Sequence, residues 1–263
     1  MASIPENSKT GDSGAEEKPA NFYEGHDLEA LAGLPRYYGW IADLFRPYLR
    51  GRALEIGAGI GTNAELARNH VDHLALVEPS PNLVGQLHEK FGGDAAFEIH
   101  ACSAEDYLGG AAPESRDVVM MINVLEHIED DRAVARKIHD LLVPGGHFLV
   151  FVPAMPFLYS KLDSIFGHFR RYTRPGLKSV RAEAGFEIVD SRYFDILGVG
   201  PWYVLNTLLG SVRFNPALVG LYDRIGVPLT RAFEAVISPP FGKNLVMIAR
   251  KVPSTDGGPA ATG

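Results

Sequence analysis

Short apolar runs alternate with helix-patterned segments along most of the chain, and this alternation restricts the fold more than any other feature. The runs are RALEIGA (52–58), HLALVEP (73–79), AAFEIHAC (95–102), RDVVMMIN (116–123), HFLVFVPA (147–154), EIVDSRYF (187–194) and NLVMIARK (244–251). They are apolar on both faces, as strands of a sheet covered on both sides by helices must be. Between them, TNAELARNH, SPNLVGQLHEKF, DDRAVARKIHDLLVPGG and RPGLKSVRAEAGF carry helical spacing. Ser80 sits near the cap of the second, a proline–glycine pair closes the third, and a glycine closes the last. The expected architecture is α/β, with a mainly parallel sheet and helices on both faces.

The first strand runs into EIGAGIG, Glu55 to Gly61. Glycines at 57, 59 and 61 permit a tight turn and let a ligand approach the backbone. The spacing is G-x-G-x-G, not the G-x-G-x-x-G of dinucleotide-binding folds. The second strand ends in VEP. A carboxylate there offers two acceptor oxygens to the hydroxyls of a ribose, so Glu78 is the expected ribose clamp. CSAED follows the third strand, and NVLEHIEDD follows the fourth, at the switch point where such sheets bind ligands.

The glycine loop, Glu78, SAED, NVLEHIEDD and LLVPGGHFLVFVPA, in this order and spacing, resemble the class I S-adenosylmethionine-dependent methyltransferases across roughly 36–195. The resemblance implies a Rossmann-like seven-stranded mixed sheet with strand 7 antiparallel. It also implies S-adenosylmethionine as methyl donor and S-adenosylhomocysteine as product. Glu55, Gly57 and Gly59 would meet the methionine part, and Glu78 the ribose. Ser103, Ala104 and Glu105 would surround the adenine, with Asn123 and Leu125 beneath the sulfonium. Ala58, Gly61, Pro79, Val124 and Tyr37 complete the expected cofactor set. LPRYYGWIADLFRPYLRGRALEIGAGIG, PFLYSKLDSIFGHFRRYT and FGKNLVMIAR are further similar to a bacterial small-molecule subfamily with a GHxRRY loop. Its members occur alone, fused to glycosyltransferases or among natural-product enzymes. Asp195 departs from it, standing where that subfamily commonly has Asn.

Two segments are longer than ordinary connectors, about 155–175 and 196–243, and are expected to be ordered inserts on the acceptor side. Methyl transfer from a sulfonium is an in-line displacement, requiring alignment, exclusion of water and, for some acceptors, a base. The candidates are His127, His168, Tyr172, Tyr23 and Asp163. Asp163 has an alternative role as the ion-pair partner of Arg170 or Arg171 in a structural lattice. His127 has the alternative of orienting its loop. In relatives resembling quinone-biosynthesis O-methyltransferases a Glu–His pair at this point coordinates a metal; with no further ligands in view here, no metal is expected. Trp202 and Tyr203 are candidates for an acceptor wall or a homodimer interface.

A net charge of −7 speaks against a general nucleic-acid binder. The (D/N/S)PP(Y/F/W) motif of nucleic-acid amino-methylation is absent, NVLEH taking its place. Cys102 is the single cysteine, so no intrachain disulfide forms, and a cytoplasmic location is expected. No apolar run reaches membrane-spanning length, so integral membrane association is not expected. The expected organisation is a disordered tail (1–20), a methyltransferase domain (21–252, with a lid at 21–50) and a second tail (253–263). The expected function is methylation at O, N or C of a small aromatic or apolar acceptor, with natural-product biosynthesis and indole C-methylation within that range. The rivals are a non-catalytic cofactor-binding module acting on a membrane or partner, and a nicotinamide-dependent oxidoreductase.

Overall fold

The computed structural model describes residues 34–213 and 215–253. Tyr23, the first part of the expected lid and nearly all of both expected tails lie outside them.

Seven strands form one sheet: β1 (Arg52–Ile56), β2 (His73–Val77), β3 (Phe97–His100), β4 (Arg116–Ile122), β5 (Leu142–Pro153), β6 (Phe186–Phe194) and β7 (Asn244–Lys251). Their order is β3-β2-β1-β4-β5-β7-β6. The first five pair in parallel. β7 runs antiparallel between β5 and β6, as expected. The chain winds outward from β1 to β3, then returns to place β4 on the other side of β1, so the order reverses between β1 and β4. In such sheets ligands bind outside the C-terminal ends of the strands at this switch point.

Alternation along each strand assigns the two faces. Val118 and Met120 of β4 face a core with Tyr37, Trp40, Phe45, Leu87 and Phe91. Val119 and Met121 face a core with Val134, Ile138, Leu177 and Val180. Helix Pro35–Phe45 closes the first face. Its leading N–H groups, on Arg36 and Tyr37, donate to the Asp223 carboxylate at 3.3 and 2.9 Å. Helices Asp131–Leu141 and Arg174–Glu183 close the second.

Three local expectations are corrected. Helix Asp131–Leu141 ends before its proline–glycine pair, because Leu142 is already fully buried and paired with Arg116 as the start of β5. Ser80 is the N-cap of helix Pro81–Phe91, yet its side chain makes no cap hydrogen bond; Pro81, whose nitrogen has no hydrogen to satisfy, opens the helix. The segment after Ala67 tightens to a 3-10 turn, Arg68–His70, rather than continuing as α-helix.

The described residues of both long segments leave the C-terminal edge of the parallel strands and carry helices. The first holds the short helix Lys161–Ile165, entered through a capping box of Ser160 and Asp163. The second holds helices Val199–Trp202, Pro216–Leu221 and Val227–Glu234, joined by wide π turns at Tyr203–Leu208 and Tyr222–Gly226.

Candidate functional site

The glycine loop folds over the end of β2: the N–H groups of Gly57 and Ala58 donate to the Val77 carbonyl at 2.8 and 3.1 Å. That fold needs a positive φ of 73° at Gly57, where a Cβ would lie 2.3 Å from Val124 Cγ2. Gly61 is equally constrained, with φ 79° and Phe91 Cε2 only 2.5 Å from a Cβ. The loop and the strand-four segment therefore touch, which only glycine permits.

Glu55 lies on β1 just before the loop, 1% exposed. Asn63 Nδ2 donates to its Oε1 at 3.2 Å, while Oε2 has no hydrogen-bond partner among the described residues. Burial pushes its carboxyl up to about 8, with Glu78 adding to the rise against the Asn63 bond. A buried acceptor left open beside a glycine loop is complementary to a cationic or N–H-bearing ligand. Tyr38, whose hydroxyl burial and Glu55 push up to about 12, covers the same side.

Glu78 is buried and bridges two segments: Gly59 N–H donates to Oε2 at 2.9 Å and Ser80 N–H to Oε1 at 3.0 Å. The carboxylate thus pins the glycine loop to the end of β2. Each oxygen retains acceptor capacity for a further donor. Pro79 is exposed beside it. Ser103 caps the helix after β3, its Oγ accepting Asp106 N–H at 3.1 Å, with Ala104 half-buried and Glu105 exposed. Asn123 ends β4 with φ 54°, exposed at the switch point, and Val124 is half-buried against Gly57. Leu125 is fully buried in the core under this segment. Tyr37 is farther off: its hydroxyl donates to Asn244 Oδ1 at 2.9 Å and its ring packs against Phe151 and Phe194. It belongs to the core beneath the acceptor side rather than to the glycine-loop cradle.

The stretch Gly167 to Thr173 divides into two lattices. Arg171 donates Nε and Nη2 to Asp163 at 2.7 and 3.2 Å, and Ser160 donates its N–H and hydroxyl to the same carboxylate. His168 Nδ1 completes the set, 2.9 Å from Asp163 Oδ1. Burial opposes ionisation of Asp163, but the bonds from His168, Arg171 and Ser160 prevail and hold its carboxyl at about 2. In the second lattice Asp131 accepts Arg170 at 3.1 Å and the Tyr172 hydroxyl at 2.8 Å. Tyr172 is buried, and burial with the Asp131 charge drives its hydroxyl well above the ordinary tyrosine range. A phenol so placed removes no proton near neutral pH; its position is that of a strut between Leu125 and Asp131.

With Nδ1 engaged, His168 presents Nε2 toward Glu126 Oε1 at 4.0 Å. Its ring meets the edge of His127, centroids 4.6 Å apart. Partial desolvation of the His127 ring, reinforced by His168 beside it, lowers its imidazole below the ordinary histidine value, although the residue is exposed. Glu126 is fully buried and neither carboxylate oxygen has a hydrogen-bond partner among the described residues. Glu126, His127 and His168 offer ligand atoms all within 4.8 Å of one another. Such an N/N/O set can hold a divalent cation, or a proton shared with an acceptor hydroxyl. Sequence reasoning expected no metal because it saw only Glu126 and His127; the third donor comes from an insert forty residues away.

Asp195 and Lys243 were not foreseen as a pair. Asp195 is fully buried at the end of β6 with φ 65°, and Lys243 Nζ lies 2.8 Å from its Oδ2. The Tyr222 hydroxyl donates to the other oxygen. Trp202 sits between the two inserts, its Nε1 donating to the Leu158 carbonyl at 3.1 Å with Arg171 over its ring. The charge that Asp195 introduces is thus neutralised within the second insert.

A family model described as a methyltransferase domain matches residues 26–191. Ubiquinone biosynthesis O-methyltransferase of Pseudomonas syringae pv. tomato is 28% identical over 191 residues, 66% of this chain and 78% of that protein. Probable polyketide synthase 40 of Dictyostelium discoideum is 29% identical over 143 residues, 46% of this chain but 5% of that protein. Among solved structures, an S-adenosylmethionine dependent methyltransferase from Mesorhizobium loti superposes with TM-score 0.58 at 15% identity, covering 86% of this chain and 100% of that one. Phosphoethanolamine N-methyltransferase 2 of Haemonchus contortus, in complex with S-adenosyl-L-methionine, gives 0.58 at 16%, covering 86% of this chain and 57% of that one.

Proposed function

This chain belongs to the methyltransferase-domain family, and from that premise we propose that it moves a methyl group from S-adenosylmethionine to a small, amphipathic or aromatic acceptor. The observation that carries the reading is Glu55: a buried carboxyl oxygen without a hydrogen-bond partner among the described residues, at the foot of a glycine loop and within the field of Glu78. The residues fit the donor. Glu55 would take the methionine ammonium, the glycine loop would lie against the methionine part, and Glu78 would accept the ribose hydroxyls. Ser103 and Ala104 would line the adenine end, and Asn123 would stand at the reacting centre. When bound, the sulfonium supplies an activated methyl, so the chain's own task is alignment and exclusion of water.

On the acceptor side, Asp163 holds His168 in one tautomer, and its Nε2, 4.0 Å from Glu126, is the atom that would orient an acceptor hydroxyl or take its proton. An oxygen acceptor is favoured by this imidazole and by the O-methyltransferase name of the Pseudomonas relative. The test is a thermal-shift comparison of S-adenosylhomocysteine with NADH, then a panel of phenols, catechols and indoles assayed for S-adenosylhomocysteine release. Stabilisation by S-adenosylhomocysteine and turnover of a hydroxylated acceptor are expected. Stabilisation by NADH alone would overturn the reading.

A further inference from the structure

The second insert carries an apolar surface that the methyltransferase reading does not use. Pro216–Leu221, Tyr222–Gly226 and Val227–Glu234 run on as one helical rod, about 28 Å long at 1.5 Å per residue. Its inward side is anchored: Asp223 binds Arg36 and Tyr37, Val227 and Thr230 are buried, and Arg231 pairs with Asp43 at 2.7 Å. Its outward side shows Leu218, Leu221, Ile225, Leu229 and Phe233 at three- and four-residue spacing, every one exposed. Val236, 85% exposed, continues the stripe. Leu208 and Leu209, 61% and 72% exposed, add to it from the preceding turn. A helical stripe of this length left in water marks an interaction surface.

Charge identifies the occupant. The protein carries −7 overall. Yet among the described residues of 196–243 no acidic side chain is exposed: Asp223 is buried and Glu234 is half-buried, accepting Ile196 N–H. The exposed charges are Arg213 and Arg224, with Arg231 tied to Asp43 on the inward side. A second copy docked face to face would oppose arginines with arginines and offer no acid in exchange. An anionic bilayer surface supplies both what the leucines and what the arginines need. No helix among the described residues is long and apolar enough to cross a membrane, so the rod would lie along the surface.

We propose that residues 208–213 and 215–237 form a docking face for anionic phospholipid membranes, with the apolar stripe seated in the interface and Arg213 and Arg224 against the headgroups. The face adjoins the first insert, since the Phe157 and Tyr203 rings are 6.1 Å apart and Phe157 is itself exposed. Docking would therefore bring the acceptor side close to the bilayer.

The experiment is flotation of the full chain with vesicles of phosphatidylcholine alone and with about one-third phosphatidylglycerol, at low and high salt. At least tenfold stronger partition onto the anionic vesicles is expected, weakened by salt. The double variant Leu209→Glu, Leu229→Glu should lose it, and Arg224→Gln should weaken it, while each keeps the wild-type thermal shift with S-adenosylhomocysteine. That shift separates failure of docking from failure of the methyltransferase reading. Equal, low partition onto both vesicles would overturn the proposal. So would a dimer by light scattering that Leu229→Glu converts to a monomer, because the stripe would then belong to a second copy.

Discussion

Asp163 holds Arg171 and His168 on the same carboxylate oxygen: Oδ1 lies 2.7 Å from the guanidinium Nε and 2.9 Å from the imidazole Nδ1. One buried acid therefore neutralises a cation and orients a histidine at once. Asp163→Asn is expected to leave Arg171 as an uncompensated buried charge and to cost about 3–5 kcal/mol. Urea unfolding measures this, and a loss below about 1 kcal/mol would mean that the pair is not structural.

His168→Ala leaves that pair intact and removes only the imidazole. Cofactor affinity is expected to stay within twofold, while kcat falls at least tenfold, within the range general-base catalysis contributes. Normal turnover would return His168 to the structural lattice.

Glu55 gives the pH dependence. Its folded value, about 8, lies above the ordinary carboxylate value of 4.5, so the folded state binds the proton more tightly. Stability is then highest below pH 4.5 for this group and falls as pH rises from there toward 8. Glu55→Gln should flatten that decline, giving a higher Tm than wild type at pH 9 and little difference at pH 5. It should also weaken S-adenosylhomocysteine binding, because an amide cannot ionise to pair with the ligand's ammonium. Parallel pH profiles of wild type and variant would refute the assignment.

Glu78→Ala removes the acceptor for two N–H groups as well as the proposed ribose clamp. Calorimetric titration with S-adenosylhomocysteine is expected to show a loss of about 1–3 kcal/mol. Unchanged affinity would leave Glu78 with loop anchoring alone.

Gly57→Ala combines an unfavourable left-handed φ with a clash against Val124. It should destabilise by more than the roughly 1 kcal/mol by which such a change stabilises where the backbone tolerates it. Adding Val124→Ala should recover part of the loss, because the clash goes and the backbone strain stays. Full recovery would show that φ at this position costs nothing.

The sheet was legible because its signals are local. All seven apolar runs became strands, and the glycine loop announced its turn through residues that no side chain could replace. The antiparallel placement of β7 came from the resemblance, since no run reveals its own direction. What stayed hidden depends on partners distant in sequence. Tyr172 looked available for chemistry until Asp131, 41 residues earlier, was found holding its hydroxyl. Tyr37 resembled a lid residue, but Asn244, 207 positions later, ties it into the core. Asp195 read as an unexplained charge because Lys243 pairs with it only after the whole second insert has intervened. Asp163 was readable in part, because Arg171 follows within eight residues.

The position of β7 also sets an order of events during synthesis. β5 and β6 never pair with each other; both wait for a strand that begins about fifty residues after β6 is complete. At about 5–20 residues per second, that interval lasts several seconds. Through it, β6 has no strand partner, while β1 to β5 already have all their mutual partners. The nascent chain therefore passes through a stage in which the glycine-loop half can consolidate while β6 still exposes the edge that β7 will cover. Chaperones acting on this protein would meet it there, and substitutions in NLVMIARK should reduce yield in the cell more steeply than their effect on the finished fold would suggest.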